Sequence, residues 1–205
     1  MMIKKPFNLL SVVVRAGLIA ALMTNFFSCA GPQARHAARQ LPERKSKPHI
    51  VIPDLEKKIH ALINEERKKE GLSPLARDNA LARIARKHSR DMAKRNYFDH
   101  VSPEGRNFAH RYSQEGYKCS VVVGTTIHMG AENIALNNLY DSATTVNGEV
   151  FYSWNSPAKI AETTVRGWMN SPGHRKNILT PYWRNEGIGI IITPEDKVYI
   201  TQNFC

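Results

Sequence analysis

The C-terminal stretch most constrains the fold. Residues 187–204 read G-I-G-I-I-I-T-P-E-D-K-V-Y-I-T-Q-N-F. Two β-branched runs flank a turn at Pro194, Glu195 and Asp196, the pattern of two paired strands. What lies well before them is helical. L-E-K-K-I-H-A-L-I-N-E-E-R-K-K-E-G puts Leu55, Ile59, Leu62 and Ile63 on one face, with Asp54 as cap and Gly71 as stop. A second helix is expected from near Asp78, with Leu81, Ile84, Ala85, His88 and Met92 in one stripe. His88 therefore faces the core, where a hydrogen-bonded structural role is expected of it rather than ligation. Helices first, strands last and a mixed middle predict an α+β layered fold.

The middle carries its own signals. Ser102-Pro103 is expected to open a short helix, Pro being well placed at a first helical position, with Phe108 and Tyr112 on one side. C-S-V-V-V-G-T-T-I-H is expected to be extended. Asn147-Gly148, between alternating apolar positions, predicts a two-residue hairpin turn. Ser156-Pro157 starts a helix whose inner face is Ile160, Thr164, Val165 and Trp168. Ser171-Pro172 starts another, with Ser171 as N-cap and His174 in the first turn.

The N-terminus reads as an export signal. Lys4 and Lys5 precede apolar stretches that reach F-F-S-C-A-G around Cys29. Arg15 interrupts the run, which disfavours a stable spanning helix, the alternative reading. Ser28, Cys29, Ala30 and Gly31 resemble a bacterial lipoprotein cleavage site, with Phe26 where Leu is usual. Residues 1–28 are thus expected to be a lipoprotein-type signal peptide and Cys29 the lipidated residue, tying the chain to a membrane. Residues 29–53 are expected to be a flexible basic, Pro-containing tether, lying along an anionic surface or acting as a plain spacer. If lipid takes Cys29, Cys119 and Cys205 form the one pair left, a disulfide permitted by export. The alternative is two separate buried thiols. The formal charge of +11 suits anionic surfaces. Export argues against specific nucleic-acid binding, and no nucleic-acid module is visible.

Three segments stand out together: F-D-H-V-S-P at His100, G-A-E-N-I-A at Glu132 and W-M-N-S-P-G-H-R-K-N-I-L at His174. With the terminal strands ending in T-Q-N-F-C, the ordered set resembles the CAP superfamily (cysteine-rich secretory proteins, antigen 5, pathogenesis-related proteins; the SCP domain), most closely its bacterial branch, over residues 54–205. The resemblance implies a three-layer α-β-α sandwich with a cleft built from these segments. It also implies a tetrad of two His and two Glu in many members. His100, Glu132 and His174 match three of its positions. The fourth falls near Ser171, where there is no carboxylate.

Two imidazoles and one carboxylate are a set that can hold Zn²⁺ or another divalent metal, with an open position for water. His174 in a first helical turn should stay neutral and available. Glu132 can instead orient one of the imidazoles, and a hydrogen-bonded cluster locking the layers is the plain alternative. His128 is a further candidate ligand or a strand-end surface residue. Arg175 and Lys176 are expected either to border the cleft with positive charge or to be solvated. Trp154, Trp168 and Trp183 are expected in the core or the cleft wall.

Two functions follow as expectations. One is a binding module at the cell envelope that recognises a lipid, glycan or protein. The other is a metal-assisted hydrolase in which His100, Glu132 and His174 activate water.

Overall fold

The structure, a computed structural model, describes residues 43–205. The predicted signal peptide, Cys29 and residues 29–42 of the tether lie outside the described residues.

Helix α1 (Ile52–Lys69) begins two residues before Asp54, with Pro53 in its first turn. Val51 stands at the N-cap without a side-chain bond, so Asp54 is a first-turn acid rather than the expected cap. Leu55, Ile59, Ile63 and Arg67 are buried, and Gly71 (φ +69°) turns the chain away. Strand β1 (Ala76–Arg77) follows. Helix α2 (Asn79–Arg95) is capped by Asp78, whose carboxylate accepts from Ala80 N at 2.7 Å and Leu81 N at 3.0 Å.

Ser102-Pro103 opens a turn rather than a helix. Gly105 N donates to Ser102 O at 2.8 Å. Helix α3 (Phe108–Gln114) starts later, and its cap is Asn107, which accepts from His110 N at 3.0 Å. Pro103 therefore fixes a turn, and the Asn side chain supplies the missing acceptor.

Strands β2 (Val121–Val123) and β3 (Thr126–His128) pair as a small hairpin. Strand β4 (Ala131–Asn138) comes next, then the hairpin β5 (Tyr140–Val146) and β6 (Glu149–Trp154). Asn147 and Gly148 both have positive φ, +51° and +81°, as a type I′ turn requires. Helices α4 (Pro157–Asn170) and α5 (Pro172–Leu179) precede β7 (Asn185–Ile192) and β8 (Lys197–Phe204). The buried face of α4 is Ile160, Ala161, Thr164, Val165 and Trp168.

The main sheet has the order β1-β7-β8-β4, with β1 parallel to β7 and the other pairs antiparallel. Helix α2 packs on β7 and β8 from one side, with α3 beside it; α1, α4 and α5 cover the other. This is the three-layer α-β-α arrangement expected. The alternation of β7 explains its packing. Ile188 and Ile190 enter the core with Leu55, Ile59 and Trp168, while Gly187 and Gly189 face α2. A Cβ on Gly189 would sit 2.0 Å from Arg86 N, and one on Gly187 2.1 Å from Ala82 N. Helix and strand backbones are in contact there, and only glycine fits.

A disulfide joins Cys119 to Cys205, with Cα atoms 5.6 Å apart and a sequence separation of 86. It staples the end of β8 to the base of the β2–β3 hairpin. The end of the predicted tether is not free. Arg44 pairs with Glu149 at 3.0 Å, Trp154 Nε1 donates to Lys45 O at 3.0 Å, and Lys47 pairs with Asp196. Residues 44–47 are thus laid against the β5–β6 hairpin and the neighbouring β7–β8 turn.

Candidate functional site

Edge strand β4 organises the site. Glu132 lies opposite Asn203 of β8, on the face that α2 and α3 cover. The carboxylate is buried, its side chain 1% exposed. Arg111 of α3 donates to Glu132 Oε2 at 2.7 Å, and His100 Nδ1 lies 3.0 Å from Oε1. His88 Nε2 is 3.8 Å from the same Oε1 and 3.1 Å from Asp99 O. A buried carboxylate needs such partners, because an unanswered charge in the interior is costly.

His174 arrives from the other side of the edge. Its helix α5 is held to β4 through side-chain amides: Asn177 Nδ2 donates to Glu132 O at 3.1 Å and to Asn133 Oδ1 at 2.9 Å, and Asn133 Nδ2 to His174 O at 3.3 Å. The rings of His174 and His100 are 6.2 Å apart, tilted by 46°. Burial pushes the His174 pKa below its ordinary value, and His100 adds to the effect. Its neutral form is favoured as expected, but burial is the leading cause. Ser171 occupies the N-cap position without a side-chain cap bond, contrary to expectation; Arg175 N reaches its carbonyl at 2.8 Å instead.

The three residues singled out by motif, His100, Glu132 and His174, are therefore brought together. Their roles differ from a three-ligand metal set. Both oxygens of Glu132 are engaged, one by Arg111 and one by His100, which makes it an orienting carboxylate. Among the described residues no three His, Cys, Asp or Glu are grouped as a metal-ligand set. The imidazole pair is what the site offers to a ligand, with His100 half-exposed and its Nε2 on the far side of its ring from Glu132.

Two members escaped sequence reasoning. His88 is buried and hydrogen-bonded as expected, yet it also forms the floor beneath Glu132. Burial lowers its pKa, against the pull of the Glu132 charge. Arg111 carried no signal at all in a seven-residue helix; only its place on α3 aims it at Glu132. Other candidates fall elsewhere. Arg175 pairs with Glu70 at 2.7 Å. His128 stacks on Tyr182, with ring centroids 4.4 Å apart, and Tyr182 Oη lies 3.0 Å from its Nδ1. Trp168 and Trp183 are buried, and Trp168 Nε1 donates to Ile134 O at 2.9 Å. Trp154, half-buried, belongs to the β5–β6 hairpin.

An α-β-α sandwich with facing imidazoles at the edge of its sheet, one of them steered by a buried glutamate, defines the class. The model of the cysteine-rich secretory protein (CAP) family matches residues 60–204, and the chain belongs to that family. Relatives of Bacillus subtilis agree. The chain is 37% identical over 137 residues to "Uncharacterized protein YkwD", covering 66% of this chain and 42% of that protein. It is 34% identical over 149 residues to "Uncharacterized membrane protein YlbC", covering 73% and 34%. The chain thus spans less than half the length of these relatives. Among solved structures, an extracellular SCP-domain protein from Bacillus anthracis superposes with a TM-score of 0.55 at 27% identity, over 78% of this chain and 44% of that one. An outer surface protein of Borrelia burgdorferi gives the same TM-score of 0.55 at 18% identity, over 78% and 97%, and supports the fold.

Proposed function

We propose that this protein is an exported CAP-domain binding module of the cell envelope, and that the imidazole cleft formed by His100 and His174 receives its ligand. The observation that carries the reading is the state of Glu132. With one oxygen held by Arg111 and the other by His100, this carboxylate orients an imidazole and is not free to act as a base. The family's second carboxylate would fall in the M-N-S stretch near Ser171, where this chain has none. What remains is a pair of nitrogen donors and acceptors on a rigid sheet edge, which suits recognition of a polar group on a lipid, glycan or protein. The names of the relatives above, one a membrane protein and one extracellular, support export. The lipoprotein reading of Cys29 supplies the membrane anchor. Among the described residues, no helix is long and apolar enough to cross a membrane.

One observation favours a second reading. Two imidazoles 6.2 Å apart, centroid to centroid, with His174 held neutral, can contribute two ligands to a reversibly bound divalent metal such as Zn²⁺. A hydrolase would then need both. The test is calorimetric titration with Zn²⁺ beside a hydrolysis screen, on the purified protein and on folded His100→Ala and His174→Ala variants. The binding-module reading expects no turnover from any of them. Turnover lost in both variants would overturn it in favour of the hydrolase.

A further inference from the structure

The open edge of β4 borders a cavity well away from the imidazoles. Cys205, directly after β8, exchanges both backbone bonds with Asn185 of β7. Alternate residues of β8 therefore bond to β7 and the others to β4. The unbroken register then points the backbone N–H and C=O of Glu132, Ile134, Leu136 and Asn138 away from β8, to the open edge. Side chains answer three of those carbonyls. Asn177 Nδ2 donates to Glu132 O at 3.1 Å, Trp168 Nε1 to Ile134 O at 2.9 Å and Asn155 Nδ2 to Asn138 O at 3.3 Å. The N–H and C=O of Leu136 have no partner among the described residues.

Leu136 lines a cavity of about 240 Å³, bounded by the start of the β5–β6 hairpin and the first turns of α4. The polar groups around it are mostly uncharged. Asn137 and Asn155 spend their Nδ2 within the protein, Asn137 on Thr164 Oγ1 at 2.7 Å, and keep their amide oxygens. Asn138 and Asp141 are exposed and make no side-chain hydrogen bond among the described residues. Asp141 is the one charged group in the lining, so a protein of formal charge +11 has here a site that does not suit an anion. Tyr140 forms an aromatic wall, with Tyr152 packed against it at 5.1 Å between ring centroids. Tyr152 is itself exposed.

We propose that this cavity binds one N-acetylated amino-sugar residue of a glycan. An acetamido group is a single amide with one N–H and one C=O, the complement of what Leu136 leaves open at the strand edge. The amide oxygens of Asn137 and Asn155 and the Asp141 carboxylate accept from sugar hydroxyls, and Asn138 Nδ2 donates to one. Tyr140 offers its ring to the C–H face of the sugar. The volume lies below the roughly 300 Å³ at which drug-sized pockets begin, so it takes a single ring, and Tyr152 continues the wall towards the next one. An extended peptide needs a longer run of open ladder, and the carbonyls on either side, at Ile134 and Asn138, are already spent. Leu136 is four residues along β4 from Glu132, about 13 Å, so this site does not depend on what the imidazole cleft binds.

The experiment is a titration of the intact protein with the β-1,4-linked trimer of N-acetylglucosamine, followed by NMR of the Leu136 N–H and the Tyr140 ring. The β-1,4-linked trimer of glucose, which lacks the acetamido groups, is the control. The expected result is saturable binding in which both signals move together, about tenfold or more weaker for the control. Asn138→Ala and Asp141→Asn, exposed positions whose variants should fold, each weaken it by about fivefold, while His100→Ala leaves it unchanged. Binding lost in His100→Ala but kept in Asn138→Ala and Asp141→Asn would put the sugar in the imidazole cleft, overturning this proposal and leaving the binding-module reading intact. Unsaturable shifts, or equal affinity for the two trimers, would also overturn it. So would an acetylated tetra-alanine peptide that saturates the Leu136 signal where the acetylated trimer does not, since the edge would then be a strand-docking site.

Discussion

The chain builds two histidine–glutamate pairs at the same end of its sheet, and they have opposite fates. Glu132 of β4 meets His100 on the face covered by α2 and α3. Glu186 of β7 meets His60 of α1 on the other face, Nδ1 to Oε1 at 2.5 Å. Each glutamate is 1% exposed, and each has a second partner, Arg111 for Glu132 and Gln202 for Glu186. The difference lies in the imidazole. His60 is 19% exposed, and its Nε2 is 3.2 Å from Asn64 Nδ2. That network continues from Gln202 to Asn133 at 3.1 Å and on to Asn177. His100 is 45% exposed and faces another imidazole. A buried carboxylate beside a histidine therefore does not itself mark a site. The same pair is structural when both ring nitrogens are spent inside the protein, and available for ligands when one is left at the surface.

The largest expected effect breaks the open pair from beneath. Gly189→Ala drives a Cβ into the α2 backbone, which also carries His88. A loss of about 3 kcal/mol or more is expected, read as a collapse of the thermal midpoint. An unchanged midpoint would show that α2 can shift freely and is not a fixed floor for Glu132.

Next comes Glu186→Ala, which leaves His60 and Gln202 unanswered at the centre of the network. A cost of about 3 kcal/mol is expected in urea unfolding, with binding in the imidazole cleft unchanged. Glu132→Gln should cost less, about 2 kcal/mol, because Arg111 keeps the carbonyls of His100 and Arg106. It should also weaken whatever the cleft binds. If the two substitutions had the same effect on binding, the distinction between the pairs would fail.

The pH dependence sharpens the comparison on the open side. The pKa values of His88 and His174 are lowered in the folded state, so the unfolded chain takes up protons first as pH falls through about 6.5. Stability should be fully present above that value and decline below it. His88→Gln should flatten the decline in denaturation curves taken between about pH 5 and pH 8. A decline of the same slope in the variant would place its origin elsewhere.

The smallest effect belongs to His100→Ala. A half-exposed ring should matter to stability by about 0.5 kcal/mol or less, while binding in the cleft is lost. His60→Ala should show the reverse, and paired unfolding and titration curves for the two variants decide the matter.

The sequence by itself determined much of this molecule, wherever a signal is local. Apolar period placed α1 and α2, and the Ser-Pro pairs placed the starts of α4 and α5, although Asp54 does not cap α1 and Ser171 makes no side-chain cap bond. Asn147-Gly148 located the β5–β6 turn, and the β-branched runs placed β7 and β8. The sequence left Cys119 and Cys205 either paired or separately buried, and the structure joins them; the ordered motifs identified the family together with His100, Glu132 and His174. Local signals also misled at Ser102-Pro103, because a proline suits a turn as well as a first helical position.

Only the tertiary structure decided the rest. G-A-E-N-I-A is too mixed to declare a strand, and β4 exists because β8 offers it a ladder of partners. Arg111 and His88 joined the site because α3 and α2 converge on the Glu132 side chain from separate parts of the chain. Whether Glu132 stands free or steers an imidazole depends on which partners reach its two oxygens. Those partners lie 2.7 Å and 3.0 Å away, from residues 21 and 32 positions distant in sequence. Such distances arise from how the layers pack rather than from any spacing along the chain.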